Sequence, residues 1–106
     1  MSRPFRHFEL LLPQRFNDGR PVPATEFDAT LSELRDRFGG LSAETQAIQG
    51  YSINQGQPTI DDLVRLYVDV PDTPENLQFF KELKQRLKAR FEQDDIWLTT
   101  HKLEVL

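Results

Sequence analysis

The chain has 106 residues, with 38% hydrophobic and 28% charged side chains, a net charge of -4 and no cysteine. This size and composition are typical of one globular domain, and we expect a single domain over residues 1–106. The acidic balance argues against a nucleic-acid partner, because nucleic-acid binders concentrate Lys and Arg to neutralise phosphates. The lack of cysteine excludes disulfides, thiol catalysis and cysteine-ligated metal sites.

The sequence does not suggest a membrane protein. The early apolar run at residues 10–12 is preceded by Glu9 and broken by Pro13, which is unlike a signal peptide. No stretch approaches the ~20 apolar residues of a membrane span. We therefore expect a cytoplasmic protein with no membrane partner.

The first predicted element is a strand over residues 5–12, where side chains alternate in polarity. The face expected to be buried carries Phe8, Leu10 and Leu12. His7 and Glu9 point to the other face. A turn follows at residues 17–19, because Asn-Asp-Gly is a common turn sequence.

A helix is predicted from Ala24 to about Phe38. Apolar residues recur at spacings of four, three and four, which places them on one stripe. This stripe consists of Phe27, Leu31, Leu34 and Phe38. The pair Gly39-Gly40 is expected to end the helix, because glycine adopts the left-handed conformation of a C-cap at little cost.

The middle of the chain gives the weakest pattern. Residues 41–53 alternate poorly and are interrupted by Gly50, so we expect an irregular strand there. Residues 54–58 are predicted as a loop. A strong strand follows over residues 63–70, with Arg65, Tyr67 and Asp69 pointing outward. Its inward face carries Val64, Leu66, Val68 and Val70.

A second helix is predicted after Thr73, which can cap it, with Pro74 at its first position and Asp94-Asp95 breaking it. Its apolar stripe consists of Leu77, Phe80, Leu83, Leu87 and Phe91. The spacing of Leu87 and Phe91 repeats that of Leu34 and Phe38 in the first helix. We therefore expect Phe38 and Phe91 to be equivalent core anchors in two similar halves.

The chain is predicted to end in a strand over residues 96–106. Trp97 and His101 fall on its outward face. The side-chain phase after His101 is ambiguous, because apolar Leu103 and Val105 then share the outward parity.

The predicted order β-α-β-β-α-β is that of an α+β, ferredoxin-like sandwich. In this fold a four-stranded antiparallel sheet carries two helices on one face, because both crossovers are right-handed. The other face of the sheet would be left open.

Several segments together resemble a family of small bacterial proteins of uncharacterised function with this ferredoxin-like pattern. The segments span nearly the whole chain: Asn17 to Pro23, Glu33-Leu34, Phe38 to Gly40, Val68 to Thr73, Arg90 to Gln93 and Ile96-Trp97. The resemblance implies no activity, ligand or catalytic residue.

Candidate ligand-binding side chains gather on the open face: His7, Glu9, Tyr67, Asp69, Trp97 and His101. Two histidines with Glu9 match a three-ligand metal set, but ordinary half-solvated histidines are the favoured interpretation. We therefore expect no metal and no cofactor, and no catalytic residue is identified. Arg15 and Arg20 would suit an anionic ligand, although plain turn chemistry is favoured for their loop.

Two functional interpretations remain. The first is a non-enzymatic homo-oligomeric or partner-binding module using the open face, with a homodimer that buries Trp97, since exposed aromatic patches often mark interfaces. The alternative is a small-molecule-binding sensor or an enzyme, with a pocket on that face between subunits.

Overall fold

The structure, a computed structural model, describes residues 3–106, apart from the side chains of residues 45–47 and 54. The elements in chain order are β1 (Arg3–Pro13), α1 (Ala24–Phe38), β2 (Ser42–Asn54), β3 (Gln57–Pro71), α2 (Pro74–Arg90) and β4 (Trp97–Val105). The expected α+β class, with two helices and an antiparallel sheet, is confirmed.

The four named strands form one sheet in the order β2-β3-β1-β4. β1 lies inside the sheet and pairs antiparallel with both β3 and β4, while β2 pairs antiparallel with β3. A further antiparallel bridge between Arg15 and Pro21 lies outside these strands. The sequence pattern did not predict this additional pairing, which closes the loop between β1 and α1.

The core lies between one face of the sheet and the helices. The buried sheet residues are Phe8, Leu10, Leu12, Leu66, Val68 and Val70. They form one hydrophobic cluster with residues from the helices and the segment after α2: Leu34, Phe80, Leu83, Leu87, Phe91 and Ile96. Fully burying one such side chain contributes ~1.5–3 kcal/mol. The predicted inward faces of β1, β3 and α2 are confirmed.

Two helix ends follow the predicted capping signals. Gly39 has a φ of 82°, and its N–H donates to the carbonyl of Arg35 at the end of α1. The Thr73 hydroxyl accepts from the N–H of Asn76 at 3.1 Å at the start of α2. The helix α2 ends at Arg90, so the predicted helix-breaking role of Asp94-Asp95 is wrong.

The expected equivalence of the two phenylalanine anchors is wrong. Phe91 is fully buried, whereas Phe38 is only partly buried at the edge of the core. The ring of Phe38 packs against Phe79 and Phe80, with centroids 5.4 and 5.5 Å apart. Both residues lie at a helix end, so the difference arises from their surroundings: Phe91 belongs to the buried cluster and packs against Phe27, whereas Phe38 lies at the boundary of the core.

The strand β3 begins six residues earlier than the predicted residue 63, so the expected loop at residues 54–58 is largely strand. The turn is confined to Gln55 and Gly56, both with positive φ. β1 ends at Pro13, opposite Leu63. Residues 50–61 therefore form a two-stranded hairpin beyond β1, which we call the hairpin arm.

The strand β4 keeps one register along its whole length, with Leu103 opposite Phe5 and Val105 opposite Arg3. Leu103 and Val105 therefore lie on the open face with His101. Within residues 3–106, no helix has both the length and the apolar character to cross a membrane.

Candidate ligand-binding site on the open sheet face

The strand register brings the predicted polar side chains together on the open face. His7 of β1 lies directly opposite Asp69 of β3 on one side and His101 of β4 on the other. Glu9 lies opposite Tyr67. Side chains of directly opposed residues share one face and stand ~4.5–5.5 Å apart at the β-carbons. The expectation that His7 and His101 share a face is confirmed.

His7 is held by carboxylates at both ring nitrogens. Its Nδ1 lies 2.6 Å from Asp69 Oδ1, and its Nε2 lies 3.1 Å from Glu9 Oε1. The side chain of His7 is 14% exposed. Two carboxylates each accept a hydrogen bond only when both ring nitrogens carry a proton, so the geometry matches the imidazolium form.

Arg65 joins this group from β3. Its Nη2 donates to Glu9 Oε1 at 2.6 Å, and its Nη1 donates to Glu44 on β2. The sequence placed Arg65 on the open face but did not assign it to the site, and Glu44 was missed. We name the set the His7 cluster; it consists of His7, Glu9, Glu44, Arg65, Tyr67, Asp69 and His101.

Stacked side chains cross the sheet through the cluster. The rings of His101 and His7 are stacked with centroids 4.8 Å apart, and His7 lies 5.6 Å from the Tyr67 ring. The Arg65 guanidinium lies over Tyr67, 4.4 Å from its centroid. The result is a row of flat groups, whose outer edges a ligand can contact.

The ionised forms stabilise one another. Burial lowers the pKa of His7, but the hydrogen bonds that His7 donates to Glu9 and Asp69, together with the negative charges of these carboxylates, outweigh this effect, so the pKa of His7 is raised above its ordinary value. The hydrogen bond from Arg65 is the main reason that the pKa of Glu9 is lowered. Bonds to Glu9 and Glu44 raise the pKa of Arg65.

Trp97 lies apart from the cluster. It is opposite Leu11, is 64% exposed, and stands four residues from His101 along β4, which corresponds to ~13 Å. The structure therefore brings together five of the six predicted site residues and leaves Trp97 at one end of the open face.

An open hollow of about 400 Å³ borders the cluster at Tyr67 and Asp69, and its opposite wall is the connection from Phe38 to Ser42. Ligand sites commonly enclose ~300–1,000 Å³. A larger hollow of about 580 Å³ lies elsewhere, between the β1–α1 loop, the hairpin arm and residues 93–95. Only the first hollow adjoins the predicted site residues.

The arginines of the β1–α1 loop are engaged within the protein. Arg20 donates to Asp18 at 2.6 Å and to Glu92 at 3.3 Å, and Arg15 donates to the carbonyl of Gly19 at 3.0 Å. These contacts favour the interpretation of the loop as turn chemistry. In the part of the chain that the structure describes, no three His, Asp or Glu side chains are placed to hold a metal ion.

No family model and no curated protein matches the sequence. Among solved structures, the chain is similar to a phage SAM lyase in complex with S-methyl-5'-thioadenosine. The TM-score is 0.72 at 13% sequence identity, over 95% of this chain and 88% of that chain. At this identity the likeness shows a shared fold.

The likeness contradicts the first functional interpretation. The chain was expected to be a non-enzymatic oligomeric or partner-binding module, yet nearly its whole length shares the fold of a lyase with a bound small molecule. The alternative, a small-molecule enzyme or sensor using the open face, agrees better with this likeness. The first interpretation is therefore corrected.

Proposed function

We propose that the chain is an enzyme that acts on a small sulfonium substrate of the S-adenosylmethionine type, bound at the His7 cluster. The observation that carries this proposal is the charge of the cluster. Three carboxylates, from Glu9, Glu44 and Asp69, face the two cations Arg65 and His7. The cluster thus keeps an excess of negative charge, which favours a cationic ligand.

Sulfonium and thioether ligands differ in the charge at sulfur, and the charge of the cluster distinguishes between them. S-adenosylmethionine carries a positive charge at sulfur, whereas S-adenosylhomocysteine, which lacks only the methyl group, is uncharged there. The excess carboxylate attracts the positively charged sulfonium, and this attraction is strong because charges in a partly buried site are weakly screened. The thioether, which is uncharged at sulfur, is not attracted in this way. We expect the cluster to select the sulfonium.

Glu44 is 45% exposed but is bonded to Arg65 and does not line the hollow, so Asp69 is the carboxylate that a ligand in the hollow reaches. Its side chain is 43% exposed and borders the hollow, whereas Glu9 is held by both His7 and Arg65. His7, with both nitrogens bonded to carboxylates, is a hydrogen-bond donor at rest rather than a general base. We assign Asp69 to the sulfonium and His7 to positioning it.

The likeness in fold supports the reaction class. S-methyl-5'-thioadenosine, bound in the similar phage lyase, is what remains of S-adenosylmethionine once the bond from sulfur to its four-carbon amino-acid arm breaks. Sulfur keeps the bonding electron pair and loses its charge, while the carboxylate of the arm forms a bond to the carbon that sulfur leaves and closes a lactone, so no other reactant is needed. A site that prefers the sulfonium therefore also releases the neutral thioether more readily.

The ferredoxin-like assignment of the fold belongs to the same proposal. It is supported by the sheet order β2-β3-β1-β4 and by the helix that follows each of β1 and β3. This order makes β1 central, so that His7 has a partner strand on each side and the cluster forms at the middle of the face.

The test is direct. The purified chain is incubated with S-adenosylmethionine, and S-methyl-5'-thioadenosine is measured by mass spectrometry. Calorimetry compares the affinities for S-adenosylmethionine and S-adenosylhomocysteine. We expect product formation and at least tenfold tighter binding of the sulfonium, which corresponds to ~1.4 kcal/mol.

The variant Asp69→Asn removes one charge from the cluster and is expected to abolish the preference for the sulfonium. The matched control is Glu82→Gln, which removes a carboxylate from the outer surface of α2, where it bonds Gln78. Binding without product would favour a sensor over an enzyme. Equal affinity for the two ligands, or no binding of either, would refute the proposal.

A further inference from the structure

The hairpin arm has two chemically different faces. Tyr51 lies opposite Ile60, and Ile53 lies opposite Pro58, so these four side chains share one face. The other face is polar, with a hydrogen bond of 2.8 Å between the hydroxyls of Ser52 and Thr59. This alternation is the pattern of a hairpin with one face buried and one in water.

Within residues 3–106 the apolar face of the arm is mostly exposed, although part of it borders the larger hollow. Tyr51, Ile53 and Ile60 are 72%, 76% and 64% exposed, and they lie on the side of the sheet that carries the helices. The core does not extend beneath them, because the arm lies beyond the end of β1. A two-stranded hairpin without packing is marginally stable in water, so this face is expected to gain a partner.

We propose that the arm is an interface between two copies of this chain, in which the apolar face of one arm packs on the same face of the other about a two-fold axis. The distribution of charge on the arm favours a second copy of the chain as the partner. Asp61, the one charged residue of the arm, lies on the polar face, opposite Gly50. The four apolar side chains carry no charge, so two such faces meet apolar on apolar, and Asp62, the next acidic residue on this side of β3, lies at the base of the arm.

The area agrees with a concentration-dependent dimer. Large side chains offer on the order of 200 Å² each, so the face presents roughly 400–500 Å² per copy. The two copies together bury roughly 800–1,000 Å², which is at the low end for a specific interface and agrees with a dimer that dissociates on dilution. The association lies on the side of the sheet opposite the His7 cluster, and it is independent of the proposed function.

Light scattering after gel filtration tests the interface over a wide range of protein concentration. The wild type is expected to rise from monomer to dimer mass. Ile53→Lys and Ile53→Glu are each expected to remain monomeric, because each places like charges in the shared face. Mixing the two variants is expected to restore a dimer, since opposite charges then meet.

Gln57→Lys is the matched control, because Gln57 lies on the polar face of the arm, at its tip; this variant should dimerise as the wild type does. Unchanged urea midpoints show that the Ile53 variants are folded. A monomeric wild type at every concentration, or an Ile53→Lys variant that dimerises normally, would overturn the proposal. A mixture of the two variants that stays monomeric would also overturn arm-to-arm packing.

Discussion

The chemistry of His7 depends on the position of β1 in the sheet. Because β1 is flanked by β3 and β4, the side chain meets Asp69 across one strand pair and His101 across the other. Glu9, two residues along the same strand, reaches the second ring nitrogen. The charged groups around the ring thus come from two strands, and its basicity depends on the register between them.

We predict that His7 keeps its proton to a higher pH than an ordinary histidine. The chain has two histidines, so their ring signals in a proton NMR titration are readily separated. The pKa of His7 is raised because bonds to Glu9 and Asp69 outweigh the effect of burial. Asp69→Asn should move the His7 midpoint down. A His7 midpoint at or below the ordinary value of ~6.5 would contradict the geometry.

The raised pKa of His7 also predicts how the stability of the folded protein changes with pH. A histidine whose pKa is higher in the folded than in the unfolded protein stabilises the fold fully below its unfolded pKa of ~6.5. This contribution disappears as the pH rises through the folded pKa. The stability advantage of the wild type over His7→Gln, measured by urea unfolding, should therefore be largest in mild acid and shrink towards alkaline pH.

The two helices contribute unequally to the core despite their similar sequence spacing. The apolar stripe of α2 continues into Phe91, which packs edge-to-face on Phe27 with centroids 5.2 Å apart. In α1 the stripe reaches the boundary of the core at Phe38. Sequence spacing identifies the stripe, but burial at its end depends on what lies beyond the helix.

We predict that Phe91→Ala destabilises the protein more than Phe38→Ala. Removing a fully buried Phe typically costs ~3–5 kcal/mol, and the cost falls when the site is open to water. Urea unfolding of the two variants should therefore give a clearly larger loss for Phe91→Ala, with roughly half that loss for Phe38→Ala. Equal losses would restore the equivalence of the two anchors.

Strong periodicity explains which elements could be predicted. β1 and the second half of β3 alternate cleanly, Gly39 caps the end of α1 and Thr73 caps the start of α2, so the faces of these elements and these two helix ends follow from the sequence. The hairpin arm does not, because Gly50 and the polar residues near the turn resemble a loop. A β-carbon at Gly50 would lie 2.8 Å from Leu63 Cδ1. The glycine thus leaves room for Leu63 within a continuous strand.

The candidate site was partly predictable for the same reason. Parity along β1, β3 and β4 places His7, Asp69 and His101 on one face without knowledge of side-chain geometry. Glu44 could not be found in this way, because the pairing of β2 with β3 shifts register between Glu44 and Ile48. The contact between Arg65 and Glu9 depends on rotamers, which sequence parity does not determine.

At the scale of the whole molecule, the two unoccupied surfaces lie on opposite sides of the sheet. The open face carries the His7 cluster and Trp97, while the apolar face of the hairpin arm is on the side of the helices. The arm projects beyond the end of β1 and lengthens the molecule to 49 × 27 × 25 Å. Association through the arm therefore leaves the open face accessible to a small ligand.

This separation gives a prediction for Trp97, the one tryptophan of the chain. Its side chain is 64% exposed on the open face, so its emission should be water-like and readily quenched by acrylamide. Because the arm lies on the other side of the sheet, emission and quenching should stay constant over the concentrations at which the mass doubles. The variant Ile53→Lys, monomeric throughout, provides the reference spectrum. A blue shift that follows the rise in mass would mean that the open face is buried on association, and the arm would then not be the interface.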